Sequence, residues 1–143
     1  MRVKQLSVFL QNKSGRLAAA TRALGARGIN IRALCLADTA DFGVARFIVS
    51  DPVAAAQALK DEDFATALTD VLVVEIPDEP GGLSRVLEVL GEAGADVEYL
   101  YAFCEKHERS AMVIFRVEKI DLAVEALCAN NVAVVPSQTV YDM

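Results

Sequence analysis

The chain repeats itself, and that constrains its fold more than any other feature. Displaced along itself so that Leu6 meets Leu72, it also brings Val8 onto Val74, Gly15 onto Gly81, Leu17 onto Leu83 and Leu24 onto Leu90. The same register aligns Gly25 with Gly91, Gly28 with Gly94, Leu34 with Leu100, Ala45 with Ala111 and Ile48 with Ile114. After a slip of two residues, Gln57-Ala58-Leu59 meets Glu125-Ala126-Leu127. The matches fall on turns and on one apolar phase, as two copies of one supersecondary unit would leave them. In a chain of 143 residues these copies are small, and the repeat divides them into 1–69 and 70–143.

Each copy spells the same order of elements. Gln5 to Gln11 alternates Leu6, Val8 and Leu10 with mostly polar neighbours, the pattern of a strand with one buried face. Ser14 offers a helix N-cap hydroxyl, Leu17, Ala20 and Leu24 recur at helical spacing, and Gly28 ends the helix. Ile29–Ala37 and Phe42–Val49 read as strands joined by a polar hairpin turn at Asp38–Asp41, and Asp51-Pro52 opens a helix over Val53–Lys60. In the second copy the strands are Asp70–Ile76, Asp96–Cys104 and Ser110–Val117. A helix carrying Leu83, Val86, Leu87 and Leu90 ends at Gly94, a second spans Asp121–Ala129, and Val132–Tyr141 is expected to close the sheet. The order β-α-β-β-α-β is the ferredoxin-like split motif, so the fold class is α+β, two such units in tandem with antiparallel sheets and helices on one face. Phe64–Ile76 leaves room for one long strand, so the first unit's last strand and the second unit's first are nearly continuous, or one is very short.

The face away from the helices should be polar if it meets water, yet Ala111-Met112-Val113-Ile114-Phe115 is apolar on both phases and Ala45-Arg46-Phe47-Ile48-Val49 nearly so. That predicts a cover, and the simplest is a second copy: a homodimer with sheets packed face to face. Net charge is −6, which argues against nucleic-acid binding, but residues 1–50 carry +6 and the remainder −12. The two halves either attract each other in an assembly or are solvated helix faces that merely differ. Cys35, Cys104 and Cys128 show neither CxxC spacing nor a neighbouring histidine, and read as reduced thiols. The N-terminus lacks an uninterrupted apolar stretch of signal-peptide length and the apolar runs are strand-sized, so a cytoplasmic protein with no membrane span is expected.

The two glycine turns carry the functional reading. Asn12-Lys13-Ser14-Gly15-Arg16-Leu17 and Asp78-Glu79-Pro80-Gly81-Gly82-Leu83 each join a strand to a helix, aiming unpaired N–H groups and the positive end of the helix dipole at whatever sits there. A carboxylate suits that place, and glycine lets it approach the backbone. Asn12 and Asp78 offer side-chain oxygen to an ammonium group, so each turn is matched to a zwitterion. A tight turn needs Gly15 and Gly81 even with no ligand. Asn30 and Asp96 open the second strands at the other end of each helix.

With Gly28-Ile29-Asn30-Ile31 and Gly94-Ala95-Asp96-Val97 added, the chain resembles a tandem pair of ACT domains, the amino-acid-binding regulatory module, over about 140 residues. The resemblance implies ligand sites where second strands of two units meet: Asn12, Lys13, Ser14, Gly15, Arg16, Leu17, Asn30 and Ile31 for one, and Asp78, Glu79, Pro80, Gly81, Gly82, Leu83, Asp96 and Val97 for the other. The ligand expected is a free amino acid of branched-chain or small aliphatic type. No cofactor, metal or catalytic residue is implied. Two departures stand out: Ser14 where the family often has proline, and Asp96 where asparagine is usual, which bears on how a carboxylate-bearing ligand is received. The chain looks like a free-standing member, a sensor or regulatory subunit with a metabolic enzyme as partner.

Rival readings fare less well. No nucleophile–base pair is visible, and the one histidine, His107, lies in the charged hairpin Glu105–Arg109, where a solvated turn suffices. Tyr99, Tyr101 and Phe103 alternate on a strand and read as core or interface; a stacking surface for RNA would want a basic setting. The alternative from another class is a docking subunit without a functioning ligand site.

Overall fold

The computed structural model describes residues 1–11, 13–38, 42–103 and 109–143. The elements in chain order are β1 (Val3–Gln11), α1 (Arg16–Ala26), β2 (Ile31–Asp38), β3 (Phe42–Val49), α2 (Pro52–Asp61), β4 (Ala65–Pro77), α3 (Gly82–Glu92), β5 (Val97–Ala102), β6 (Ser110–Val117), α4 (Ile120–Ala129), β7 (Ala133–Val134) and α5 (Ser137–Tyr141). Two compact units emerge. The N unit comprises Lys4–Thr69 with Tyr141–Met143, and the C unit comprises Asp70–Val140 with Met1–Val3. The expected polar turn at Asp38–Asp41, the hairpin tip around His107 and the first turn residue, Asn12, lie wholly or partly outside the described residues.

In the N unit the strand order is β2-β3-β1-β4, of which only Ala65–Thr69 of β4 belongs to the unit. Leu6 pairs with Phe47 and Val8 with Ala45 across β1 and β3, and Leu34 pairs with Phe47 across β2 and β3. Leu6, Val8 and Phe47 meet Ala20 and Leu24 of α1 and Ala58 and Leu59 of α2 in one buried cluster. The C unit repeats this with the order β5-β6-β4-β7. Leu72 pairs with Phe115, and the cluster adds Val86 and Leu90 of α3 with Ala123 and Leu127 of α4. β4 is therefore one unbroken strand of 13 residues serving both units, the nearly continuous strand the sequence allowed.

All four main helices end alike. Gly28, Asp63, Gly94 and Asn131 sit at φ 68, 63, 74 and 57, and the amide after each bonds back to Leu24, Leu59, Leu90 and Leu127, closing a Schellman motif. Glycine takes that conformation freely, and Asp and Asn tolerate it at modest cost. At the start of α2, the Asp51 carboxylate accepts the Ala54 N–H at 3.0 Å and Pro52 needs no partner for a missing donor. Asp51→Ala is expected to cost about 1 kcal/mol, read as a lower urea midpoint with an unchanged slope.

Three expectations need correction. Val132–Tyr141 does not close the sheet as a strand: β7 is two residues long and α5 follows. Pro136 has no N–H to continue a ladder, and the Val140 amide bonds back to the Pro136 carbonyl in a helical turn. Ser14 is not a cap: the N-cap position of α1 is Gly15, and no side chain caps it. The argument for a covering second copy also loses its premise, because Ile48, Val73 and Ile114, on the phase away from the helices, are 0% exposed in the single chain.

Candidate functional site

The two strand-to-helix turns are built alike, bond for bond. In the N unit the Lys13 N–H donates to the Gln11 carbonyl at 2.7 Å and the Arg16 N–H to the Lys13 carbonyl at 3.4 Å. In the C unit the Glu79 N–H donates to the Pro77 carbonyl at 2.9 Å and the Gly82 N–H to the Glu79 carbonyl at 3.0 Å. Gly15 (φ 84, ψ −3) and Gly81 (φ 84, ψ −5) hold the third position of what is in each case a type II turn, with Ser14 and Pro80 before them. Only glycine takes those angles without strain. The result is an α1 and an α3 whose N-termini carry no side-chain cap and whose first turns contain no acid.

The surroundings of the two turns differ. In the N unit Lys13, Arg16 and Leu17 line a cavity of about 120 Å³ with Leu10 and Leu36. A second cavity of about 380 Å³ shares Lys13 and Arg16 and adds Phe9, Phe42 and Asp63. The Arg16 guanidinium lies 4.3 Å from the centre of the Phe64 ring, and its Nε is buried without a hydrogen-bond partner. In the C unit Glu79 forms an ion pair with Arg85, Asp78 donates its backbone N–H to the Arg109 carbonyl at 3.0 Å, and Leu83 is exposed. A cavity of about 720 Å³ there is walled by Gly82, Arg85, Val86, Val89 and Asn131. It matches the N unit's larger cavity in position, with Gly82 where Arg16 stands and Asn131 where Asp63 stands.

The remaining candidates lie elsewhere. β1 and β2 both run antiparallel to β3, so they are parallel to each other, and the start of β2 is remote from the end of β1. Asn30 and Ile31 therefore sit a full helix, about 16 Å, from the N-unit turn, as Asp96 and Val97 do from the C-unit turn. Asn30 is tied locally, its N–H to the Ser50 hydroxyl at 3.1 Å and its carbonyl to the Ser50 N–H at 3.0 Å. The structure brings to the N-unit turn the other end of the strand instead: Leu36, 50% exposed although it shares the helix-side phase with buried Ala45. The signal was in the sequence, as Leu34 and Leu36 alternate on an outermost strand, but the spacing gave no reason to place them at the turn. Among the described residues no group of three His, Cys, Asp or Glu side chains is placed to hold a metal ion, and no helix is long and apolar enough to cross a membrane.

Each unit is thus a ferredoxin-like fold with an uncapped helix start behind a left-handed glycine. The chain belongs to the ACT domain pair family, which it matches over residues 1–143. A solved protein from Bacteroides thetaiotaomicron is similar at 42% identity and a TM-score of 0.94, covering 100% of this chain and 98% of that one. The ligand-free regulatory subunit of aspartate kinase from Thermus thermophilus shares the fold at 20% identity and a TM-score of 0.66, covering 90% of this chain and 92% of that one. The corresponding subunit from Thermus flavus does so at 20% identity and 0.62, covering 88% and 90%. No protein of curated function matches the chain.

Proposed function

We propose that the chain is an amino-acid-binding regulatory protein, a cytoplasmic sensor or regulatory subunit of amino-acid metabolism that performs no chemistry itself. The observation that carries this is the pair of uncapped helix starts at Gly15 and Gly81, each presenting free N–H groups to a carboxylate at the same point of the fold. The chain's likeness in fold to a regulatory subunit of aspartate kinase supports a metabolic enzyme as partner. A homodimer remains part of the reading on different grounds: the outermost strands β2 and β5 expose Leu34, Leu36 and Leu100, and edges of that kind pair with another chain.

A docking subunit without a ligand is the second reading, favoured by the C-unit turn, where Glu79 and Arg85 satisfy each other. A thermal-shift screen of the twenty amino acids at millimolar concentration separates the two. Saturation at 100 times the dissociation constant adds about 2.7 kcal/mol of stability. At least one amino acid is expected to raise the melting temperature, and Asn12→Ala or Asp78→Ala to reduce the effect. A flat screen would sink the ligand reading in favour of docking.

A further inference from the structure

The N-unit turn violates a local electrostatic rule. Helix starts favour acids, because the N-terminus carries the positive end of the dipole. Here the first turn of α1 holds no acid, and two cations stand at its mouth, Lys13 three residues before the first helical position and Arg16 at it. Among the described residues neither forms an ion pair. Both line the cavity of about 120 Å³, which has no acid on its wall, and both line the adjoining one of about 380 Å³, whose acid is Asp63. Arg16 Nε is buried without a partner, and the ring of Phe64 holds the guanidinium in place. Three positive groups around one small space are an unfinished set of charges.

We propose that this corner takes a small dicarboxylate, and within the amino-acid reading, on which this rests, an acidic amino acid. A neutral zwitterion brings one carboxylate, enough for the helix N–H groups but leaving the Lys13–Arg16 pair unanswered. A second carboxylate completes the balance: one group on the N–H groups of α1, the other on Arg16 and Lys13, with the ammonium group turned to Asp63. The C-unit turn is unsuited to the same ligand. It presents Asp78 and Glu79, has Gly82 in place of Arg16, and already pairs Glu79 with Arg85. The two corners are therefore not duplicates, and the expectation of an aliphatic ligand is confined to the C unit.

Calorimetric titration of the intact chain with L-aspartate, L-glutamate, succinate, L-valine and inorganic phosphate tests this. Aspartate or glutamate is expected to bind, more weakly as salt rises. Arg16→Gln should reduce that affinity about tenfold or more, with Arg16→Lys recovering part of it and Glu118→Gln, exposed and away from both turns, leaving it unchanged. Circular dichroism melts of each variant separate lost binding from lost folding; should Arg16→Gln fail to fold, Lys13→Gln gives the same reading. Succinate binding as tightly as the amino acids keeps the dicarboxylate and removes the amino-acid reading. Valine binding at the expense of the acids, or affinity indifferent to Arg16→Gln and Lys13→Gln, overturns the proposal and leaves the amino-acid reading standing. Binding of phosphate alone, or of nothing, overturns the proposal, and the amino-acid reading then falls only if the screen of all twenty is also flat.

Discussion

Gly82→Ala is expected to destabilise the protein by about 3 kcal/mol, at the upper end of ordinary overpacking. A Cβ at residue 82 would lie 2.3 Å from the carbonyl oxygen of Pro77, far inside contact distance. Neither side can yield cheaply. The Pro77 carbonyl accepts the Glu79 N–H at 2.9 Å, and the Gly82 N–H donates to the Glu79 carbonyl at 3.0 Å, so moving either atom strains a bond of the turn; where Arg16 holds this place in the N unit, the second bond is 3.4 Å. Gly81→Ala should cost less, about 1–2 kcal/mol, because its penalty is the left-handed backbone alone: the nearest atom to its added Cβ is the end of the Arg85 side chain at 3.7 Å. Gly25→Ala has the opposite sign. Gly25 is inside α1 with nothing within 4 Å, and alanine there should stabilise by about 0.5–1 kcal/mol. Urea denaturation of the three variants gives the ranking, and a Gly82→Ala midpoint close to wild type would show that the turn relaxes as the N unit does around Arg16.

What the sequence carried well was periodicity. The alternation of Leu6, Val8 and Leu10, the helical spacing of Leu17, Ala20 and Leu24, and the repeated glycines are local signals, and apart from β4 and the tail the strands and helices stand within two or three residues of where they point. The long β4 was legible by exclusion, since Phe64–Ile76 has room for one strand only. The apolar run Val132–Val135 points to a strand, but the ladder stops at Pro136 and the chain turns into α5. Asp63 and Asn131 end their helices in the same left-handed conformation as the glycines at 28 and 94, and a polar residue carries no such signal in the sequence. Most of the residues proposed for the site lie on the two turns, which the repeated glycines mark in the sequence. The contribution of Leu36, and the division between a cationic N-unit corner and a self-neutralised C-unit corner, needed strand register and three-dimensional neighbours, which spacing does not encode.

Phe47→Ala and Phe115→Ala are expected to cost about 3–5 kcal/mol each, a large share of the 5–15 kcal/mol typical of a folded domain. The two rings occupy one place in the repeat. Phe47 stands between Leu6 and Leu34 and Phe115 between Leu72 and Leu100 in the strand registers, and both are 0% exposed. Each sits in its own buried cluster, so each variant should loosen its own core first. Hydrogen exchange distinguishes them: amides of Leu6 and Val8 should lose protection in Phe47→Ala and keep it in Phe115→Ala. β4 is the exception, because it runs from Ala65 to Pro77 without interruption and supplies a strand to both units. A strand cannot fray at Thr69 and leave Asp70 and Val71 wholly indifferent, so amides near the middle of β4 should exchange faster in both variants. Protection of that segment lost in only one of them would mean that the shared strand does not couple the cores, and that each copy of the repeat opens by itself.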